Sequence, residues 1–279
     1  MHVKTPAPVR QVTDPPSPAS QVALRHEEGG VAVVQFTRAE SMNSFDPVLL
    51  RHLRQVFGGL LLDDAVRAIV LTGSGKAFSS GADVGAFEHG IATGTATQWV
   101  LDATAELHPL LHALHVGDKP LVAAVNGVAA GGGLGLALVA DARVAGPGAR
   151  FAASYFRMGL SPDGGATWLL PRLIGEQRTR RFLFENQVLG ADDALACGLV
   201  DEVVPDDQLL PRALEVARKW GAWSRLSRGS TKRLLESQAA ASFAAQLDAE
   251  RGLIAAAAGT ADFVEGVAAF REKRQPRFA

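Results

Sequence analysis

The sequence predicts an α/β protein, a core of parallel-type sheet followed by an all-helical C-terminal region. Three observations carry this. Short runs rich in β-branched residues alternate with helix-length segments through about residue 205, the pattern of strand–helix–strand units. From Asp206 onward nearly every segment reads as helix, with alanine-rich stretches at 242–258 and 262–273. A chain of 279 residues that is 47% hydrophobic and 20% charged can also bury a full core.

Residues 1–20, with five prolines and no apolar run suited to a signal peptide or membrane helix, are expected to form an extended leader. The core is placed at 21–205 and the helical region, with a role in self-association, at 206–279. "VAVVQFT" (Val31 to Thr37) predicts a strand. The turn "RAESMNSF" then leads to a helix from Asp46 to about Leu62, with Asp46 as N-cap and Pro47 at the first helical position. "RAIVLTG" (Arg67 to Gly73) predicts a second, fully buried strand. The glycine-rich stretch 74–90 follows, and "VGAFEHGIATGTA" reads as a mobile loop able to carry specificity through Glu88 or His89. Gln98 to about His115 is expected to be helical and "LVAAVNG" to be a third strand. The triple glycine 131–133 opens a short helix, "DARVAG" and "RFAAS" are short strands, and "GLVDEVV" is a late edge strand.

Composition narrows the function. With 28 basic against 29 acidic residues, nothing suggests a nucleic-acid footprint or an anionic membrane surface, and no segment reaches the roughly 18 apolar residues of a span. Small molecules or further copies of the chain are the expected partners. Cys197 is the single cysteine, which excludes an intrachain disulfide and a cysteine-based zinc site and fits a reducing cytoplasm.

The glycines pose the main question. Three in a row at a helix start are costly unless two segments pack very closely or bare N–H groups are needed. A phosphate-binding Walker loop requires Gly-Lys-Ser/Thr, whereas Gly133 is followed by Leu134. The dinucleotide fingerprint fails at its sixth position, Leu136. A third use is an oxyanion hole, with donors from two loops, and "SSGAD" (Ser79 to Asp83) is a second glycine-bearing loop that leaves a strand.

"KAFSSGADV", "NGVAAGGGLGLALVAD", "GLSPDGGATWLLPRLIG", "ADDALACGLVDEVV" and "AAFREKRQPRF", in this order and spacing, resemble the crotonase (enoyl-CoA hydratase/isomerase) superfamily across roughly Val22 to Phe278. The resemblance implies a crotonase-like spiral of ββα units with a helical C-terminal part, homotrimers or dimers of trimers, and acyl-CoA thioester substrates. It implies no cofactor beyond the coenzyme A of the substrate, and no metal. The oxyanion donors would be the amides of Ala82 and Gly132. Ser80, Phe87, Gly131 and Tyr155 would contact the substrate. Arg38, Lys76 and Lys273 would meet the phosphates of coenzyme A.

Where the family's hydratases carry two glutamates, this chain has Gly135 and Tyr155, so ordinary hydration lacks its proton-transfer groups. Asp163 matches the aspartate that several isomerases of the superfamily use, which makes it the candidate base of a double-bond shift or ring-opening isomerisation. Its alternative reading is a cap for the helix from Ala166, within a Pro-Asp-Gly-Gly turn. Tyr155 either lends its hydroxyl to the acyl pocket or packs; Asp83 and Asp141 read as structural. His108, His112 and His115 share a helical face but have no acidic partner nearby in sequence, and read as ordinary surface or interface histidines rather than metal ligands. A hydratase, hydrolase or decarboxylase of the superfamily, or a non-catalytic acyl-CoA-binding subunit, remains the alternative.

Overall fold

A computed structural model describes residues 21–278. The expected leader at 1–20 lies outside the described residues. The chain opens with β1 (Val22–Glu27), β2 (Val31–Phe36), α1 (Pro47–Leu62), β3 (Ala68–Thr72), β4 (Ala77–Ser79), α2 (Val84–Thr93) and α3 (Ala96–Val116). It continues through β5 (Leu121–Val125), β6 (Val128–Ala130), α4 (Gly132–Leu138), β7 (Ala142–Ala145), β8 (Arg150–Ala152), α5 (Ala166–Ile174), α6 (Glu176–Phe184), β9 (Val188–Gly190), α7 (Ala191–Cys197) and β10 (Glu202–Val203). The helical region consists of α8 (Asp206–Gly221), α9 (Arg225–Ser237), α10 (Phe243–Ala258) and α11 (Ala261–Glu272).

The spiral follows from strand pairs that split between two sheets. Strands β3, β5 and β7 add successively to a six-stranded sheet of order β1-β2-β3-β5-β7-β10, while β4, β6 and β8 add to a four-stranded sheet of order β4-β6-β8-β9. Each pair then feeds helix, so every turn deposits one strand on each sheet. The large sheet is parallel from β2 to β10, with β1 antiparallel on its edge. As predicted, "GLVDEVV" supplies the opposite edge strand, β10.

Burial on both faces explains the continuous apolar runs of β3 and β5. On one side Ile69, Leu71 and Val125 join Leu50, Leu53, Phe57 and Leu107 in the main core. On the other, Val70 and Val122 pack with Leu209, Ala213, Val216 and Ala217 of α8. Helix α1 starts as its sequence predicts, with the Asp46 side chain accepting from the Leu49 N–H at 2.8 Å. The segment read as a mobile loop is instead helix α2; Asp83 caps it, accepting from the Gly85 N–H at 2.9 Å.

The last two helices differ from the rest. Helix α10 has no buried residue and α11 only Ala269. Phe243, Ile254, Val264 and Phe270 are all exposed. Among the described residues no single helix is long and apolar enough to cross a membrane.

Candidate active site

Both glycine-bearing loops leave the small sheet at the same end, after β4 and after β6. In each, a glycine in the left-handed region turns the chain just before the candidate donor: Gly81 has φ +84° and precedes Ala82, and Gly131 has φ +52° and precedes Gly132. Side chains would hold the loops apart. A Cβ on Gly81 would lie 2.7 Å from the Ala130 carbonyl oxygen and 3.0 Å from the Gly132 nitrogen, and one on Gly133 would lie 2.2 Å from the Ser79 carbonyl oxygen. The glycine run therefore serves both purposes weighed from sequence, close backbone approach and exposed amides.

Neighbouring hydrogen bonds fix the first loop while leaving the Ala82 amide out. The Phe45 N–H donates to Gly81 O at 2.9 Å, and the Asp83 N–H donates to Phe45 O at 3.1 Å. Inside the loop Ser79 Oγ donates to Asn43 O at 2.8 Å and accepts from the Gly81 N–H at 3.2 Å. Gly132 opens α4, where the first helical N–H groups have no partner within the helix. Among the described residues neither the Ala82 nor the Gly132 amide meets a protein acceptor. Two unpaired N–H groups on converging loops suit a carbonyl oxygen that gains negative charge.

A cleft of about 460 Å³ opens in front of these amides. It is bounded by Ala82 and Gly132, by Phe87 and Trp99 of the α2–α3 layer, by Leu107, and by the segment from Tyr155 to Asp163. Phe87 and Trp99 form an edge-to-face pair with centroids 4.6 Å apart. Ser80 and Gly131 also line the cleft.

Asp163 is the one carboxylate among the described residues that bound it. Its side chain does not cap α5: the N-cap position is Gly165, without a side-chain cap, and Asp163 contributes only its carbonyl, to the Ala166 N–H at 3.2 Å. Tyr155 is buried and donates its hydroxyl to that carbonyl's second lone pair, Asp163 O, at 2.9 Å. Burial, with the Asp163 charge nearby, pushes the phenol well above its ordinary pKa, so it stays protonated and keeps this bond. Tyr155 thus positions the aspartate.

The structure corrects the reading of the histidines. His108 Nε2 lies 2.6 Å from Asp163 Oδ1, across 55 residues of sequence. Helix α3, which packs against α4, delivers an imidazole to the carboxylate. His115 likewise pairs with Glu236 and stands edge-on to Trp168 at 5.2 Å. No group of three or more His, Cys, Asp or Glu suited to a metal is present among the described residues.

Three sequence candidates do not line the cleft. Arg38 is tied to the first loop from behind, its Nη2 3.6 Å from Asp83 Oδ2 and its Nη1 donating to Ser44 O at 3.1 Å. Its charge neutralises a helix cap instead of facing a ligand. Lys76 is exposed on the turn before β4, and Lys273 is exposed at the C-cap of α11. Glu88 and His89 are also exposed on α2, outside the cleft lining.

A family model described as enoyl-CoA hydratase/isomerase matches residues 26–279. The chain belongs to the enoyl-CoA hydratase/isomerase family. Within that family it is 35% identical over 256 residues to the 1,2-epoxyphenylacetyl-CoA isomerase of Escherichia coli K12, covering 91% of this chain and 97% of the relative. It is 32% identical over 252 residues to 4-chlorobenzoyl coenzyme A dehalogenase-2 of an Arthrobacter species, covering 90% and 91%. The solved enoyl-CoA hydratase of Polaromonas sp. JS666 superimposes with a TM-score of 0.86 at 28% identity, over 92% of this chain and 99% of that one. The spiral fold and the helical C-terminal part are those of the family. No side chain fits at Gly135, where a Cβ would sit 2.4 Å from the Gly164 carbonyl oxygen.

Proposed function

We propose that this member of the enoyl-CoA hydratase/isomerase family is an acyl-CoA isomerase that shifts a double bond or opens a strained ring beside the thioester. The observation that carries the reading is Asp163, the one carboxylate among the described residues lining a cleft that also presents the Ala82 and Gly132 amides. The thioester oxygen accepts from both amides, so the charge of the enolate-like state falls on preorganised donors; each is worth about 10²–10³ in rate. Asp163 removes a proton from one carbon and returns it to another. That single-base task needs no second carboxylate, whereas adding water does.

A hydrolytic displacement is the second reading, favoured by the His108–Asp163 contact and by the similarity to a dehalogenase. There the carboxylate would attack the halogen-bearing ring carbon of a halobenzoyl thioester, halide would leave as the aryl ester forms, and the imidazole would activate water to cleave that ester and return the carboxylate. We further propose a homotrimer or dimer of trimers built on the exposed apolar faces of α10 and α11, coenzyme A phosphates near Lys76 and Lys273, no added cofactor, and a cytoplasmic location.

Incubation with 3-enoyl-, 2-enoyl- and dienoyl-CoA thioesters, followed by ultraviolet absorbance and mass, tests the reading. Double-bond migration abolished by Asp163→Asn supports it. A 3-hydroxyacyl-CoA product, or halide release from a halobenzoyl thioester without isomerisation, overturns it.

A further inference from the structure

We propose that His108 is the proton exit of the cleft, a relay that connects the Asp163 carboxyl to bulk water and so sets how much of the abstracted proton is lost to solvent. The inference rests on Asp163 acting as the base.

Once Asp163 has taken a proton from carbon, that proton has two fates: return to the substrate, or loss to water. Among the described residues, His108 is the titratable side chain in hydrogen-bond contact with the carboxyl, at 2.6 Å. The serines of the lining, Ser80, Ser154 and Ser161, have no charged state near neutral pH with which to store a proton, and two further hydroxyls are committed. The Tyr155 hydroxyl donates to the Asp163 carbonyl, and the Thr104 hydroxyl on the α3 wall donates to Val100 O at 2.8 Å. The imidazole spans the boundary, because the His108 side chain is 55% exposed while its Nε2 faces the carboxyl. Among the described residues its Nδ1 has no protein partner.

The step balances. The protonated Asp163 carboxyl gives its proton to His108 Nε2, forming an imidazolium and regenerating the carboxylate. Nδ1 then releases its own proton to water, and the exposed ring exchanges protons with solvent to return from the Nε2–H to the Nδ1–H tautomer, whose unprotonated Nε2 can accept again. Running backwards, the same path delivers a solvent proton to the enolate. Imidazole is the side chain suited to this, since both of its charge states are accessible near neutral pH.

The test compares wild type, His108→Gln and His108→Ala in deuterated water. Phenylacetyl-CoA, which can enolise but cannot shift a double bond, reports α-deuterium uptake; a 3-enoyl-CoA reports deuterium per isomerised product. Glutamine keeps a hydrogen-bonding group beside Asp163 but cannot relay a proton, so deuterium per turnover is expected to fall about tenfold or more in that variant. Free imidazole, able to reach the exposed site, is expected to restore uptake to His108→Ala. Wild-type deuterium content in His108→Gln, a deficit in His108→Ala that imidazole does not repair, or no α-exchange by the wild type overturns the inference. Exchange that depends on His108, with no double-bond shift in any enoyl thioester, would remove the isomerase reading and leave the proton exit standing.

Discussion

Gly135 and Gly164 meet backbone to backbone, so closely that a Cβ on Gly135 would lie 2.4 Å from the Gly164 carbonyl oxygen and 3.0 Å from its α-carbon. Alanine normally stabilises a helix by up to about 1 kcal/mol relative to glycine. Here the sign reverses, because the helix carrying the triple glycine cannot retreat from the turn that holds Asp163. Gly135→Ala is expected to cost about 1–3 kcal/mol in denaturant unfolding. Gly135→Glu is expected to gain no hydration of 2-enoyl-CoA.

Replacing Tyr155 by phenylalanine removes a hydroxyl that donates to Asp163 O at 2.9 Å. The stability loss should be near 1 kcal/mol. A larger effect is expected on kcat than on KM, about tenfold to a hundredfold, because a small displacement of the base weakens proton transfer more than binding. Steady-state kinetics of isomerisation separates the two constants.

Asp163→Asn keeps the shape of the turn and removes the carboxylate proposed as the base. Turnover should fall by about 10²–10⁴ with an unchanged melting curve. Equal loss of stability and activity would instead mark Asp163 as a structural residue.

A side chain at Gly133 would lie 2.2 Å from Ser79 O and would wedge the two donor loops apart. Gly133→Ala is expected to lower kcat by about 10²–10³, since one misplaced donor is equivalent to its removal. Binding of a saturated acyl-CoA, measured by calorimetry, should change far less.

Buried Glu106 accepts from Arg51 Nε at 2.8 Å and from Arg54 Nε at 2.7 Å, joining α3 to α1. Those guanidinium hydrogen bonds hold its pKa below the ordinary 4.5. A carboxyl depressed in the folded state stabilises fully above its unfolded value and loses that contribution as pH falls through the folded one. The melting-temperature gap between wild type and Glu106→Gln should therefore be constant near neutral pH and shrink progressively below pH 4.5.

Sequence exposed the parts of this fold that repeat locally. Helix α1, with its Asp46 cap and Pro47 start, and the buried strands β3 and β5 stand within a residue or two of where pattern places them. Three-residue strands such as β4 and β6 are too short to show a period, so β4 reads as part of the glycine-rich loop and β6 does not separate from the strand before it; β1 and β9, on sheet edges with mixed polarity, also escape the pattern. In the site, glycine placement pointed to both donor loops, and the family resemblance pointed to Asp163. His108 was legible only as one of three histidines on a helix, because its acidic partner comes from a turn far along the chain. Arg38 failed for the opposite reason. A basic residue near a ligand loop looks available until Asp83 and Ser44 are seen to occupy it.

The spacing of the two donor loops is set by main chain resting on main chain, at Gly81 against Ala130 and at Gly133 against Ser79, whereas the acyl-facing walls are side chains of separate helices. Polarising power and substrate fit are thus under different genetic control. Exchanges at Phe87, Trp99 or Leu107 can reshape what enters without retuning the amides, which gives one scaffold room to drift toward new acyl groups while its pair of donors stays fixed.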